Sequence, residues 1–160
     1  MNRRANRTEI DQIAWNTIRT AEVRSTPPSG YEACGRPSNY AELGRIIVDR
    51  GGDFEHAWGE FLHEFYRYRQ PSFFSIPPPR SMSPGWRAIL AGTAEYLSNE
   101  FGLSVSAWTE EAEYFLPEVW DPLSDLFADI EQYEDERRTK AHEVFLKRNV
   151  IFESRNLIAL

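Results

Sequence analysis

The sequence predicts a mainly α-helical protein that folds as a single domain, residues 1–160, with about six helices. Apolar residues recur at i, i+3, i+4 and i+7 in several segments, which is the period of an amphipathic helix. The alternation of apolar and polar residues that marks a half-buried strand is nearly absent. With 160 residues, 41% of them hydrophobic and 14% aromatic, the chain can bury one sizeable core and is not a disordered protein.

The strongest helical segment spans 83–101, and we expect it to form the central helix. Ser83 can accept a hydrogen bond from an unpaired N–H, and Pro84 suits the first helical position because its missing N–H would be unpaired anyway. Gly102 can adopt the left-handed conformation that ends a helix. The apolar face of this helix comprises Trp86, Ile89, Leu90, Thr93, Ala94, Leu97 and Phe101.

The N-terminal part of the chain predicts a basic arm, a helix and a loop. Residues 1–7 contain three arginines, and we expect a flexible arm because chain termini are usually loose; contact with a phosphate or an acidic partner is the alternative. A helix is predicted over 8–24, where Thr8 and Asp11 approximate a capping box. Residues 25–38 are rich in Pro, Gly and Ser, which indicates a loop.

A helical hairpin is predicted next. Ser38 is expected to cap its first helix, which would extend to Arg50, and Gly51-Gly52 would form the turn. Asp53 is expected to cap the second helix, which ends near residue 69. The apolar stripe of that helix comprises Phe54, Ala57, Trp58, Phe61, Leu62, Phe65 and Tyr68.

Residues 70–82 predict a Pro-rich strap between two helical halves of the domain. Pro71 and the run Pro77–Pro79 exclude an α-helix and favour extended geometry. The segment is too apolar for a free linker, so we expect it to lie against the helices. Its apolar residues are Phe73, Phe74 and Ile76.

The C-terminal part predicts three further helices and an extended segment. Thr109, followed by three glutamates, is expected to begin a short helix, and Pro117 and Pro122 then break the chain. A last helix is predicted over 137–148, before a β-favouring run at 150–152 and an apolar terminus. The helix between them is predicted from Leu123, Leu126, Phe127 and Ile130.

Charge and composition limit the classes of partner. The formal net charge is −7, which disfavours nucleic acid because phosphates reward neutralisation by Lys and Arg, and favours a basic protein partner. No apolar run approaches the ~18 residues that span a bilayer, and the first residues lack the pattern of a signal peptide, so a cytoplasmic protein without membrane contact is expected. A single cysteine excludes an intramolecular disulfide and any zinc site built on cysteines.

An acidic, aromatic stretch is the strongest functional signal. Eleven acidic residues and no Lys or Arg lie between Trp108 and Glu136, interleaved with aromatic rings. The alternative to an interface is a solvated face, but charge that steers a basic partner and rings that supply burial suit an interface. The basic run that follows, from Arg137 to Arg148, is expected to neutralise part of the stretch. The predicted partner-binding residues are Trp108, Glu110, Glu113, Glu118, Trp120, Asp121, Asp125 and Asp129.

Candidate catalytic and metal-ligating residues are weak. His56, Glu60 and His63 share one helix face, but that face lies opposite the apolar stripe and beside Arg67, so a solvated polar face is favoured over a metal site. His142 has no nucleophile motif to serve, and no phosphate-binding glycine loop is present. Cys34 lies in a Gly/Pro loop, without the local His or helix N-terminus that activates a thiol. We therefore expect no catalytic residue, metal or cofactor and no enzyme activity.

Three segments covering much of 40–160 together resemble a group of small helical bacterial proteins of uncharacterised function. They are GGDFEHAWGEFLHEFYRYR, GWRAILAGTAEYLSNEFGLSVSAWTEEAEYFLPEVW and FLKRNVIFESRNL. The resemblance implies a toxin–antitoxin system in which this chain is the antitoxin of a nucleotidyltransferase-type toxin. It implies no catalytic residues. The acidic, aromatic surface would then cover a basic, nucleotide- or RNA-binding cleft.

Two other functions compete with this hypothesis. A DNA-binding regulator could use the 38–69 hairpin as a helix–turn–helix, with Arg67, Arg69 and the N-terminal arginines meeting phosphates. A small metal-dependent enzyme built on His56, Glu60 and His63 is less favoured. The sequence leaves open whether the chain forms a homo-oligomer.

Overall fold

The computed structural model describes residues 7–49, 54–123 and 134–158. Within these ranges the chain forms seven α-helices and no β-strand, which confirms the mainly α-helical prediction. None of the described helices combines the length and apolar content needed to cross a bilayer. The helices are α1 (Arg7–Thr20), α2 (Tyr31–Cys34), α3 (Tyr40–Gly44), α4 (Phe54–Tyr68), α5 (Pro84–Glu100), α6 (Glu134–Lys140) and α7 (Glu143–Leu146).

The core is built mainly of aromatic rings around α4 and α5. Phe61 and Phe65 of α4 are completely buried, as the apolar stripe predicts. Tyr40 of α3 is also completely buried, and its hydroxyl donates to the Leu90 carbonyl of α5 over 2.7 Å. A buried phenol that finds an acceptor avoids the cost of an unsatisfied polar group, so this bond fixes α3 against α5.

The ends of α5 agree with the sequence. Pro84 is its first residue and Ser83 its N-cap, although the Ser83 side chain makes no capping bond. Gly102 follows the helix with φ 68°, the left-handed conformation that glycine adopts at little cost.

The Pro-rich strap packs on the core as expected. Phe73 and Phe74 are buried against Phe61 and Phe65, with ring centroids 4.9–6.0 Å apart. The strap contains one 3₁₀ turn, Pro71–Phe74, whereas its prolines had indicated extended geometry. Ile76 is 44% exposed, so it does not contribute to the core.

The first helix is shorter than predicted. It spans Arg7–Thr20, so Thr8 is a helical residue and not its cap, and the helix does not reach residue 24. Arg69 explains the early end: it has φ 47°, and its guanidinium donates to the carbonyls of Ile18 and Arg19. These bonds satisfy the last carbonyls of α1, and the following chain pairs with α4 through Arg24 N–H and the Arg67 carbonyl, 2.8 Å apart.

The first helix of the predicted hairpin also differs. Asn39, not Ser38, is its N-cap, and the Asn39 side chain accepts from the Glu42 N–H over 2.9 Å. Ser38 instead donates to the Glu42 carboxylate. After α3 the chain continues as a π-helical turn, Arg45–Asp49. The predicted Gly51-Gly52 turn and Asp53 cap lie outside the described residues.

The predicted helix at Thr109 is wrong. Two 3₁₀ turns, Ala107–Glu110 and Ala112–Tyr114, are separated by extended backbone at Glu111. Thr109 N–H and its side-chain hydroxyl both bond to the Ser106 carbonyl, which favours the tighter 3₁₀ turn over an α-helix.

The predicted helix over 137–148 is divided into α6 and α7. His142 breaks it by adopting extended geometry, and its Nδ1 accepts from the Val144 N–H over 3.2 Å to cap α7. His142 N–H bonds to the Phe152 carbonyl, so a tertiary contact replaces a helical one. A short 3₁₀ turn, Ser154–Leu157, follows.

The predicted extended segment pairs at one position with the described part of the acidic stretch. A parallel bridge joins Trp120 to Val150, through Trp120 N–H to the Asn149 carbonyl and Ile151 N–H to the Trp120 carbonyl. A further helix was predicted between Pro122 and residue 137, and its first apolar residue, Leu123, lies in a turn. Leu126, Phe127 and Ile130 lie outside the described residues.

Candidate functional site

The end of α7 holds the acidic stretch in place. Arg148 is completely buried, and its Nη2 donates to the Thr109 carbonyl over 2.9 Å. Its backbone carbonyl accepts from Leu116 N–H, and the Asn149 amide donates to the Leu116 carbonyl over 2.6 Å. Asn149 has φ 60°, a conformation that asparagine tolerates better than most residues. Residues 109–120 therefore follow a path set by residues 148–150.

Arg148 was not predicted as a site residue; the sequence assigned it only to the basic run that neutralises part of the acidic stretch. Its guanidinium instead lies 4.9 Å from the centre of the Phe115 ring and 2.6 Å from the Glu95 carboxylate. Burial raises the pKa of the Glu95 carboxyl, but hydrogen bonds from Lys147 and Arg148 outweigh burial, so the pKa of Glu95 lies below its ordinary value. The cluster is an ionised, internal support for the acidic stretch.

Trp108 belongs to the core, which contradicts its predicted role as a surface anchor. Only 9% of it is exposed, and its indole N–H donates to the Phe74 carbonyl over 2.8 Å. Its ring packs against Tyr114 and Tyr40, with centroids 5.0 and 6.0 Å apart. Trp108 therefore fastens the Pro-rich strap to the rest of the core. Burial, together with the charges of Glu113 and Glu111, raises the pKa of Tyr114 to about 12.

Asp121 is also internal. It is 7% exposed, accepts from the Leu123 N–H over 2.9 Å, and forms an ion pair with Arg137. A carboxylate that is buried and paired in this way supplies little field to a partner. Its predicted place on a binding surface is therefore wrong.

Glu110 and Glu113 lie nearer the surface but have basic neighbours. Glu110 is 58% exposed, with its carboxylate 3.5 Å from Lys147 and 3.6 Å from Arg148. Glu113 lies 3.1 Å from Arg87, and Arg80 approaches it at 3.8 Å. The predicted neutralisation of the acidic stretch by the following basic run is thus confirmed at Arg137, Lys147 and Arg148. Asp125 and Asp129 lie outside the described residues.

Glu118 and Trp120 meet at an open groove of about 340 Å³. We call it the tryptophan groove. Trp120 is half-buried, and its ring packs edge-on against Trp86 with centroids 5.7 Å apart. Gly85 permits this approach, because a Cβ there would lie 2.6 Å from the Trp120 ring. The groove is lined by Ser83, Gly85, Trp86, Leu116, Pro117, Glu118 and Trp120.

Two exposed glutamates lie near Trp120 in the sequence. Glu118 and Glu111 are exposed, and neither carboxylate forms an ion pair within the described parts of the chain. Val119 and Leu123 are 47% and 42% exposed. Of the predicted partner-binding residues, Glu118 and Trp120 therefore line one groove, and exposed acidic and apolar side chains lie beside them in the sequence.

The predicted histidine face does not assemble a metal site in the structure. His56 and His63 are exposed, and Glu60 pairs with Arg36 over 3.1 Å. Among the residues the structure describes, no group of three His, Cys, Asp or Glu side chains could hold a metal ion. Cys34 is exposed at the end of α2.

Two of the basic residues assigned to DNA phosphates, Arg67 and Arg69, have internal partners, whereas Arg3 and Arg4 of the predicted basic arm lie outside the described residues. Arg67 pairs with the buried Glu64 over 3.1 Å, and Arg69 caps α1. The apolar face of α4, which a recognition helix would have to expose, is filled by Phe61 and Phe65. The hairpin therefore lacks a described surface suited to the major groove.

Comparison with protein-family models, with curated proteins and with solved structures gave no match to this chain, so the resemblance to the small helical bacterial proteins stays a prediction.

Proposed function

We propose that this protein is a non-catalytic binding module that holds a basic segment of another protein in the tryptophan groove. The observation that carries the proposal is the meeting of Glu118, Trp120 and Trp86 at one open depression. In the cell the module acts as the antitoxin of a nucleotidyltransferase-type toxin. The sequence resemblance and the net charge of −7 support this role.

The groove suits a lysine or arginine side chain. The apolar stem of such a residue can lie along Leu116 and Pro117, while its charge faces the Trp120 ring and the Glu118 carboxylate. A cation–π contact at an exposed site contributes about 0.5–1 kcal/mol. An exposed ion pair adds about 0.2–1 kcal/mol, so one well-placed basic residue is worth up to about 2 kcal/mol.

The acidic charge of the chain supports the same partner. Glu118 lines the groove, Glu111 is exposed, and neither carboxylate forms an ion pair with a described residue, so both add to the field of a strongly acidic chain, which accelerates encounter with a basic surface. A cleft that binds RNA or nucleotides must itself be basic, because it neutralises phosphates. An acidic module that occupies it would exclude the substrate by competition.

The test uses the partner that co-purifies stoichiometrically from cells that express the protein natively. Its affinity is measured by calorimetry for the wild type and for Glu118→Lys. Glu32→Lys is the matched control, since Glu32 is 85% exposed and its change alters net charge equally. We expect Glu118→Lys to weaken binding about tenfold or more and the control to change it less than about twofold, with unchanged melting temperatures. Equal effects of the two variants would refute a role for the groove.

A further inference from the structure

A cavity distinct from the tryptophan groove lies between the start of α4, the start of α5 and residues 151–156. Its volume is about 330 Å³, which reaches the lower limit of small-molecule sites, roughly 300 Å³. We call it the arginine cavity, because Arg137 of α6 lines it. Trp86 lines both this cavity and the tryptophan groove, so the two spaces share one wall.

Arg137 brings an unsatisfied hydrogen-bond donor to the arginine cavity. One nitrogen of its guanidinium, Nη2, pairs with the buried Asp121 carboxylate. The other, Nη1, is buried and has no acceptor in the described part of the chain. A buried N–H without an acceptor costs free energy, and a ligand oxygen that accepts from it recovers that cost. The cavity therefore suits a molecule that offers a hydrogen-bond acceptor.

The charges of the lining favour an uncharged acceptor. Asp121 already neutralises Arg137, so the guanidinium keeps no net charge for a ligand carboxylate to match. Glu153 also lines the cavity, and no described residue forms an ion pair with it, so it would repel an anion. An ammonium compound would leave Nη1 without an acceptor. A carbonyl oxygen accepts from the guanidinium and adds no charge.

The walls of the cavity favour an aliphatic ligand. Phe54 packs on Trp58 and Trp86, with ring centroids 5.8 and 3.9 Å away, and Phe61 stacks on Trp58 at 6.0 Å. These contacts occupy ring faces on which a flat ligand would otherwise stack. A flexible alkyl chain fills such a space by apolar burial alone. The aliphatic part of the lining comprises Pro122, Leu123 and Ile151.

We propose that the arginine cavity binds a small, uncharged aliphatic carbonyl compound, such as a ketone, an amide or an ester. A cavity of about 150 Å³ holds benzene, so this one has room for roughly ten non-hydrogen atoms. The carbonyl oxygen accepts from Arg137 Nη1 and takes the place of lining atoms that now cover it without accepting its proton. The alkyl chain lies along Leu123 and Ile151. This site needs no protein partner, so it goes beyond the proposed function.

Three probes of equal chain length but different polar group test the proposal. Binding of octan-2-one, octanoate and octylamine is measured by calorimetry, and the guanidinium N–H resonances of Arg137 are followed by NMR. We expect the ketone to bind about tenfold more tightly than octylamine, which offers no acceptor, and more tightly than octanoate, which Glu153 repels. Only the two probes that carry an acceptor should shift the Arg137 resonances.

Three results would overturn the proposal. Tighter binding of octanoate or of octylamine than of the ketone would show that the cavity selects a charge. Equal affinities would show that Nη1 makes no contact with the ligand. No binding of the ketone would show that water alone satisfies Nη1.

Two variants place the ligand. Arg137→Lys keeps a positive charge beside Asp121 but removes Nη1, so it should lower the affinity for octan-2-one about tenfold and leave that for octylamine within about twofold. An equal loss for both probes would indicate a structural role alone and refute the proposal. The NMR readout on the wild type does not depend on how well this variant folds. Asn156→Trp, at an exposed position of the lining, should fill the cavity and abolish binding of both probes.

Glu118→Gln is the control, since Glu118 lines the tryptophan groove and not the arginine cavity. We expect this variant to bind octan-2-one as the wild type does. A loss of ketone binding there would assign the ligand to the groove and refute the proposal.

Discussion

Replacing the buried Arg148 by methionine should destabilise the protein severely. The guanidinium is completely buried, and the substitution removes bonds to the Glu95 carboxylate and to the carbonyls of Thr109 and Val144, at 2.6–2.9 Å. Glu95 keeps Lys147 as its remaining partner, 2.7 Å away. Breaking a buried pair by removing one partner costs about 3–5 kcal/mol, and the retained lysine places Arg148→Met near the lower value.

Urea unfolding followed by tryptophan fluorescence measures this loss. Natural domains are stable by about 5–15 kcal/mol, so a loss of about 3 kcal/mol shifts the midpoint strongly without necessarily abolishing the fold. Arg45→Met is the matched control, because Arg45 is 51% exposed and its carboxylate partner is 3.9 Å away. We expect the control to change stability by less than about 0.5 kcal/mol. A loss below about 1 kcal/mol for Arg148→Met would refute the reasoning.

The carboxylate of Glu95, which pairs with Arg148, gives a second, pH-dependent readout of this ion-pair cluster. The pKa of Glu95 is lower in the folded state than in the unfolded state, where it is about 4.5. The unfolded chain therefore binds more protons between the two values, so the contribution of Glu95 to stability is complete above about pH 4.5 and is lost as pH falls through the folded pKa. Glu95→Gln should flatten this part of the acid-side curve. Identical slopes for variant and wild type between pH 3 and 6 would contradict the assignment.

Three further predictions concern the elements around the site. The pKa of Tyr114 is raised to about 12, so stability should fall as pH rises above about 10, and Tyr114→Phe should flatten this alkaline decline in urea titrations. His142→Ala should cost about 1 kcal/mol because the Val144 N–H loses its cap, whereas His142→Asn should retain most of the stability; equal losses would exclude the cap. Gly85→Ala should displace Trp120 and weaken binding of the co-purified partner, with the Trp120 indole resonance as the readout; an unmoved resonance would show that Gly85 does not set the position of the ring.

Helix periodicity was the most informative part of the sequence. The apolar stripes of α4 and α5 lie in the core because a period of 3.6 residues defines a face without knowledge of its partner. Helix ends were less predictable. Ser38 and Asn39 are adjacent residues that can both cap, and the choice depends on the contacts of Glu42. The break at His142 interrupts a run of helix-forming residues, since the competing bond comes from Phe152.

The sequence indicated which types of residue line the candidate site better than it indicated where those residues lie in the fold. Glu118 and Trp120 do line one groove, but its other wall, Ser83 to Trp86, comes from more than 30 residues earlier in the chain. Trp108 and Asp121 are buried by partners elsewhere, Phe74 and Arg137. A count of acidic and aromatic residues contains no information on such pairings, so it cannot separate surface groups from core groups.

The end of α4 also determines how cooperatively this protein unfolds. Arg69 is bonded to carbonyls of α1, 51 residues away from Ile18, while the Tyr66 hydroxyl bonds to the Leu157 carbonyl, 91 residues away. Fraying of that single helical turn would release an early helix and a late turn together. Amide protons in α1 and in Ser154–Leu157 should therefore exchange through one shared opening, with equal free energies, although the two segments are remote in sequence.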